Sequence, residues 1–278
     1  MFGLKRALAE EESLTPAGFG EALRSWRRER GLSQFQLALV AEVSPRHLSF
    51  LETGRSRPSR EMVFRLAEAL DVPLRSRNEL FLVAGFAPVH SESTFSEERM
   101  APIRRVVGVL LDRHDPYPAY VMDGAWNVLA GNRAHEAFLE ALLPRASAGP
   151  TNILRLLFSP ELLRPFVLNW EEVARAVLLR ALAQVRGPHR SEALKAILRE
   201  ISQYPGVEGL ASGGPTSATT ELFIPVTLRQ GSQESRWITT LLTFGAATDV
   251  TLSEIVVECF FPADEATDRL ARGLAESP

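Results

Sequence analysis

The chain has 278 residues, 45% hydrophobic and 23% charged, the proportions of an ordinary globular protein rather than a disordered or fibrous one. Charged residues interrupt every apolar stretch before about 18 residues accumulate, and the basic start Met1–Arg6 leads into no apolar segment with a cleavage site. A membrane span and a secretory leader are therefore not expected, and the expected compartment is the cytoplasm. A single cysteine, Cys259, excludes a disulfide framework and a zinc site built from several thiolates.

The net charge of −3 hides an asymmetry. Between Arg24 and Arg65 nine arginines face four acids, so this segment carries +5 and the remainder −8. A basic island in an acidic chain is the electrostatic footprint of a small phosphate-binding module. Only Lys5 and Lys195 are lysines, so arginine is the habitual basic residue here and a single arginine carries little weight.

The length suggests about two domains. Residues 1–14 read as a frayed tail. A first helix is expected over Phe19–Arg30, with Phe19, Leu23 and Trp26 on one face and Gly31 past its end. Ser33 caps a short helix carrying Leu37 and Val40. After a tight connection through Ala41–Val43, Ser44 and Pro45 start a third helix as N-cap and first helical residue, with Leu48 and Leu51 inward and Gly54 closing it. Ser59 opens a fourth helix and Arg75–Gly85 forms a fifth. Residues 89–102 read as a linker between a domain at 15–88 and another at 103–275. Beyond the linker come two strands, Pro118–Met122 and Trp126–Ala130, around an Asp123-Gly124 turn. Helices are expected at 133–143, 152–158, 160–168, 170–186 and 191–203, with Pro165 kinking or ending the third. Gly206–Thr220 reads as a mobile loop, followed by strands at Leu222–Arg229, Trp237–Gly245 and Glu254–Phe261 and a terminal helix from Pro262. Two strands, a helical block and three antiparallel strands make a PAS-like α+β domain with a five-stranded antiparallel sheet and a large helical insertion. Such a sheet can bury a pocket against its helices.

The pair of helices at 33–40 and 44–53 is the strongest signal, because a helix-turn-helix places its second helix in the major groove. With Leu48 and Leu51 inward, Arg46, Ser49, Phe50 and Thr53 face outward, and Arg46 sits in the first turn, where a guanidinium can pair with a guanine. Ser44 and Pro45 share that end of the helix. Phe50 suits a thymine methyl or a sugar, Gln34 a phosphate at a helix N-terminus, and Arg55 and Arg57 phosphates beside the groove. The segments Leu23–Gln34, Val43–Arg55 and Pro58–Arg60 closely resemble the XRE-type, lambda-repressor-like DNA-binding domain. That resemblance implies five helices and an ion pair between Arg27 and Glu52. It also places Gln34 and Arg46 at DNA-contact positions, while Pro45 and Phe50 stand where polar base readers are common.

Enzymatic readings of the remainder are poor. A Ser–Lys self-cleaving dyad needs a lysine in a strand-built site, and Lys195 lies in a plain amphipathic helix. The histidines and Cys259 form no metal-ligand spacing. No catalytic residue, metal or resident cofactor is expected.

The segments His114–Pro118, Trp126–Asn132, Asn152–Phe158, Asn169–Val173, Thr243–Gly245 and Phe260–Glu265 resemble the ligand-binding domain of MmyB-like transcription regulators. That family is PAS-like in fold, is thought to bind small lipophilic molecules, and is linked in actinobacteria to control of antibiotic metabolism. The resemblance implies a regulator with a lipophilic effector such as a fatty acid. The apolar run 153–182 suits a hydrocarbon-lined cavity, with Arg155 and Arg164 as candidate partners of a ligand carboxylate. Trp126, Asn132, Asn152, Phe158, Trp170 and Phe244 fall in the matching segments and are candidate ligand contacts. Asn132, Asn152 and Asn169 also read as N-caps, the last in a capping box with Glu172. A homodimer on an operator is expected; the alternative is a C-terminal domain that serves only dimerisation and holds no effector.

Overall fold

The computed structural model describes residues 18–143, 151–185, 191–211 and 223–276. The expected tail at 1–14 and residues 212–220 of the expected loop lie outside the described residues.

Helices α1 (Phe19–Glu29), α2 (Gln34–Val40), α3 (Pro45–Glu52), α4 (Arg60–Ala69) and α5 (Leu74–Val83) pack around one core. Leu23, Trp26, Leu37, Leu48 and Leu51 are almost completely buried there, and each such side chain contributes about 1.5–3 kcal/mol by leaving water. Ser33 and Gln36 form a reciprocal capping box on α2, and Ser44 and Ser59 cap α3 and α4. Val40 departs from expectation. The α2 face turned inward runs through Leu37, Ala38 and Ala41, so Val40 is exposed, as are Phe35 and Leu39. Gly20 lets α1 approach the end of α3: a Cβ there would stand 2.4 Å from the Leu51 carbonyl oxygen.

The expected linker is packed structure. A 3₁₀ turn (Glu98–Met100) leads directly into α6 (Ala101–His114), which buries Met100, Val107 and Leu111 against the sheet, so the boundary expected at 103 falls inside a helix. Upstream, the Ser91 and Ser93 hydroxyls donate to Asp249, and Asn78 of α5 bonds to the backbone of Val89 and His90. Serine-rich composition marked this stretch as a linker, but here serines serve as donors to a buried carboxylate.

Strands β1 (Ala119–Met122), β2 (Val128–Gly131), β3 (Val226–Gln230), β4 (Gln233–Thr243) and β5 (Val256–Pro262) form one antiparallel sheet in the order β2-β1-β5-β4-β3. This is the expected PAS-like arrangement. The β1–β2 connection is longer than a two-residue turn: Asp123 Oδ1 accepts from the amides of Ala125 and Asn127, and Trp126, expected in a strand, sits in the turn at φ 67° with its ring buried.

One face of the sheet packs on α6. The other faces α7 (Arg133–Leu142), α8 (Ile153–Phe158), α9 (Trp170–Val185) and α10 (Glu192–Ile201), which with α12 (Glu265–Glu276) supply the largest core. The helix expected at 160–168 is reduced to a 3₁₀ turn, Arg164–Phe166, because Pro165 has no amide to continue a helix. The chain then extends, Val167 bridging Leu228 and the Leu168 amide donating to Thr227, so it covers the β3 edge. A short helix α11 (Val250–Glu254), capped by Asp249, precedes β5 where a strand start was expected.

Candidate functional site

In the N-terminal unit the geometry centres on Glu52, whose side chain is fully buried. Arg27 Nε and Nη2 donate to its two oxygens at 2.6 and 2.9 Å, and Arg24 Nη2 donates to its carbonyl at 2.9 Å. Burial pushes the Glu52 carboxyl up, but hydrogen bonds from Arg27 and Gln34 and the charges of Arg27 and Arg24 outweigh it and hold the carboxyl below its ordinary range. Together these bonds fix the end of α3 against α1.

Gln34, expected to meet a phosphate, is half-exposed at the start of α2, and its Nε2 donates to Glu52 Oε2 at 2.8 Å, which braces α3. Its spacing at a helix start carried no sign of that long-range partner. Arg30 also has a structural task, donating to the carbonyls of Leu70 and Asp71 at the end of α4. Arg46 is exposed in the first turn of α3 and lies 5.4 Å from the Phe50 ring centre. Phe50, half-buried, thus supports the guanidinium from below. Ser44 accepts from the His47 amide with Pro45 exposed beside it, Ser49 is half-buried, and the Thr53 hydroxyl donates to the Ser49 carbonyl. Arg55 and Arg57 are exposed just beyond α3. The unbraced part of the surface is therefore Arg46, Arg55 and Arg57 around one end and side of α3.

In the C-terminal unit a cavity of about 290 Å³ lies between the sheet and helices α7, α8 and α9. Its wall is mainly hydrocarbon: Ile153, Leu156 and Leu157 of α8, Val173 and Val177 of α9, and Phe260 of β5. The polar groups in the wall cluster. Tyr120 donates to Glu258 Oε2 at 2.8 Å, Arg180 Nη2 stands 3.7 Å from the same oxygen, and the Arg180 guanidinium lies 4.1 Å from the Trp126 ring centre. The indole Nε1 of Trp126 donates to Gln184, which holds the ring in place. Burial raises the Glu258 carboxyl despite the opposing Arg180, Tyr120 and Thr239, and burial also drives the Tyr120 phenol well above its ordinary range. His135, also in the wall, is pushed down to about 4 by burial and is neutral at physiological pH. A neutral imidazole and one loosely matched ion pair leave the cavity close to electrically neutral.

Of the residues expected to contact a ligand, Trp126 lines this cavity, and the others are placed elsewhere. Arg155 is exposed, and its Nε and Nη2 donate to the Glu200 carboxylate of α10. Arg164 donates to the Pro205 carbonyl and stacks 3.6 Å from the Trp170 ring centre. Asn132 and Asn152 are buried N-caps of α7 and α8 that also tie down neighbouring backbone. Phe158 is fully buried edge-on to Trp170, whose Nε1 donates to the Leu157 carbonyl. Phe244 packs on the opposite face of the sheet with the α6 core. The Asn169 carboxamide turns to β3, accepting from Thr227 and donating to Pro225, with Glu172 at 3.4 Å from its nitrogen. The residues in these matching segments thus cap helices and pack the fold here. Arg180 and Glu258 went unnoticed although each left a sign: an acid alone within Val256–Phe261, and an arginine between Leu179 and Ala181 on a largely buried helix.

Residues 103–274 match the family model described as MmyB-like transcription regulator ligand binding domain. The chain belongs to this family. Residues 23–76 of this MmyB-like regulator match a helix-turn-helix model. It is a DNA-binding transcription regulator with a ligand-binding C-terminal domain. No curated protein is similar enough to count as a match. Among solved structures, a likeness to one titled "Structure of an RNA-binding Light-Oxygen-Voltage Receptor" has a TM-score of 0.25 and 12% identity over 97% of the regulator, which spans 65% of that chain. That likeness supports nothing further. Among the described residues no helix is long and apolar enough to cross a membrane, and no cluster of ligating side chains suits a metal ion.

Proposed function

We propose that this regulator works in the cytoplasm as a homodimer that reads an operator through α3 and senses a fatty acid in the C-terminal cavity, without catalysing a reaction. The observation that carries the ligand reading is the 290 Å³ hydrocarbon-walled cavity with one cluster of Arg180, Tyr120 and Glu258 in its wall. Roughly 150 Å³ of apolar cavity holds a benzene, so this volume suits on the order of a dozen heavy atoms. A medium-length chain with a single polar head fits that description, and a guanidinium is the natural partner of a carboxylate head. Helix α6 leaves Val106, Val109 and Leu110 exposed on neighbouring turns, an apolar stripe suited to a second copy of the chain.

Solvent extraction of the purified protein followed by mass spectrometry tests the reading. A stoichiometric single-chain lipid, re-bound after delipidation with a change in Trp126 fluorescence, is the expected result. Protein that is repeatedly empty and unresponsive to fatty acids of 8 to 14 carbons (a range bracketing about a dozen heavy atoms) leaves the C-terminal domain as a dimerisation module.

A further inference from the structure

The polar cluster in the cavity raises a question of charge. Arg180 and Glu258 are the formally charged residues in the wall, and they stand opposite one another. Their 3.7 Å separation is within ion-pair range but longer than a hydrogen bond, so the guanidinium is committed to Glu258 only loosely. An anionic head entering beside Arg180 would place two carboxylates on one cation in a poorly solvated space, where like charges cannot both stay ionised.

We propose that an anionic single-chain amphiphile takes Arg180 from Glu258 and that Glu258 accepts one proton from solvent in the same event. The inference rests on the lipid reading above and adds the chemistry of its head-group site. The balance is simple: one O–H bond forms on the Glu258 carboxyl, the proton comes from the buffer, and the site exchanges a Glu258–Arg180 pair for a ligand–Arg180 pair. The net charge of the complex is unchanged by the head group.

The groups around Glu258 leave it as the proton acceptor. Tyr120 on β1 already donates to it and stays protonated, since burial and the Glu258 charge drive the phenol well up. His135 on α7 packs its ring 4.9 Å from the Tyr120 ring and is held neutral, pushed down to about 4 by burial, so it neither supplies a positive charge nor binds the proton. From β4 Thr239 offers only a hydroxyl, and Cys259 next along β5 is a buried thiol pushed up by burial and by Glu258. From α9 comes Arg180, kept in place by stacking on Trp126. Burial has already raised the Glu258 carboxyl, so losing its one cation to a ligand pushes it further in the same direction.

Calorimetry of the delipidated full-length protein in two buffers of contrasting ionisation enthalpy counts the protons. Decane-1-sulfonate is the anionic probe, because its head cannot be protonated at working pH, and decan-1-ol is the neutral one. Near pH 7.5 the sulfonate should bind with uptake of close to one proton, with affinity falling about tenfold per pH unit where the unliganded Glu258 is ionised. The alcohol should bind with none, and in Glu258→Gln the sulfonate should bind without uptake or pH dependence. Sulfonate binding with no proton taken up overturns the proposal and leaves the lipid reading intact, as does uptake that persists in Glu258→Gln. Binding of the alcohol alone also overturns it, marking a site for neutral heads. Failure of both probes and of decanoate sinks the lipid reading itself. Should Glu258→Gln fail to fold, the wild-type comparison of sulfonate with alcohol still decides.

Discussion

Arg75 on α5 grips Glu254 at the end of α11 through two hydrogen bonds, Nε to Oε1 at 2.7 Å and Nη2 to Oε2 at 2.9 Å. A third contact, Arg75 Nη1 to Glu92 at 2.6 Å, ties in the segment that joins the two units. Glu254 lies four residues before Glu258 and leads straight into β5, so the clasp connects the helix-turn-helix unit to the strand that carries the polar cluster. Gly124 makes room for it, since a Cβ there would stand 2.8 Å from Glu254 Oε2.

That connection gives the first prediction. A ligand changes operator affinity only through different affinities for the DNA-competent and incompetent arrangements, and couplings are commonly about 5–150-fold. Glu254→Gln should shrink the ligand-induced change in operator affinity toward unity while each affinity alone stays within about threefold, less than the usual coupling range. Operator titrations with and without decanoate measure it. Full coupling in the variant would mean that the signal travels by another route.

The Arg27–Glu52 pair yields a stability prediction. Removing one partner of a buried pair strands the other charge and costs about 3–5 kcal/mol. Glu52→Ala should therefore lose several kcal/mol in denaturant melts, and it also frees Gln34. The folded Glu52 carboxyl lies below its ordinary value of 4.5, so its contribution is present above pH 4.5 and is lost as pH falls through the folded value. A cost within about 0.5 kcal/mol, the size of an ordinary surface change, would show that the pair is dispensable.

Much of this architecture was legible in sequence, and the failures have physical causes. Helix starts were read well because Ser33, Ser44, Ser59, Asn132 and Asn152 announce themselves locally, each accepting from an amide two or three residues on. Helix α6 was missed although Ile103, Val107 and Leu111 recur at helical spacing, because the serine- and charge-rich stretch before it suggested a linker that ran on to 102. The cavity was placed correctly between the sheet and the 153–182 segment, but its polar residues were not. Which arginine faces inward depends on helix rotation and on a partner such as Glu200, 45 positions from Arg155, and no local pattern encodes that.

The DNA surface separates two kinds of arginine. On the proposed reading through α3, Arg46, supported by Phe50, meets base edges, so Arg46→Ala should weaken specific binding by about 1–3 kcal/mol and relax preference at one or two base pairs. Arg55→Ala should weaken all sequences about equally and lower the salt slope by roughly 0.9. Binding measured against operator and scrambled duplexes across a salt series distinguishes them. An unchanged specificity ratio in Arg46→Ala would displace α3 as the reading helix.

His135 gives a pH dependence with a definite sign. Its imidazole is buried against Tyr120 and close to Gly131, where a Cβ would meet the ring at 2.4 Å, and it borders the mainly hydrocarbon-walled cavity. Burial lowers its folded value from 6.5 to about 4. Between those values the unfolded chain binds a proton that the folded one refuses, so stability falls as pH drops through this window, by up to about 3 kcal/mol. Glu258 acts in the opposite direction: its raised folded value adds stability at low pH that is lost as pH rises through that value. Wild type alone therefore reports a mixture, and the comparison to make is wild type against His135→Gln. Chemical melts at pH 7 and at pH 4.5 should show the advantage of wild type shrinking by about 2 kcal/mol toward acid, within the linkage limit. A constant difference at both pH values would mean that burial does not hold His135 neutral in the fold.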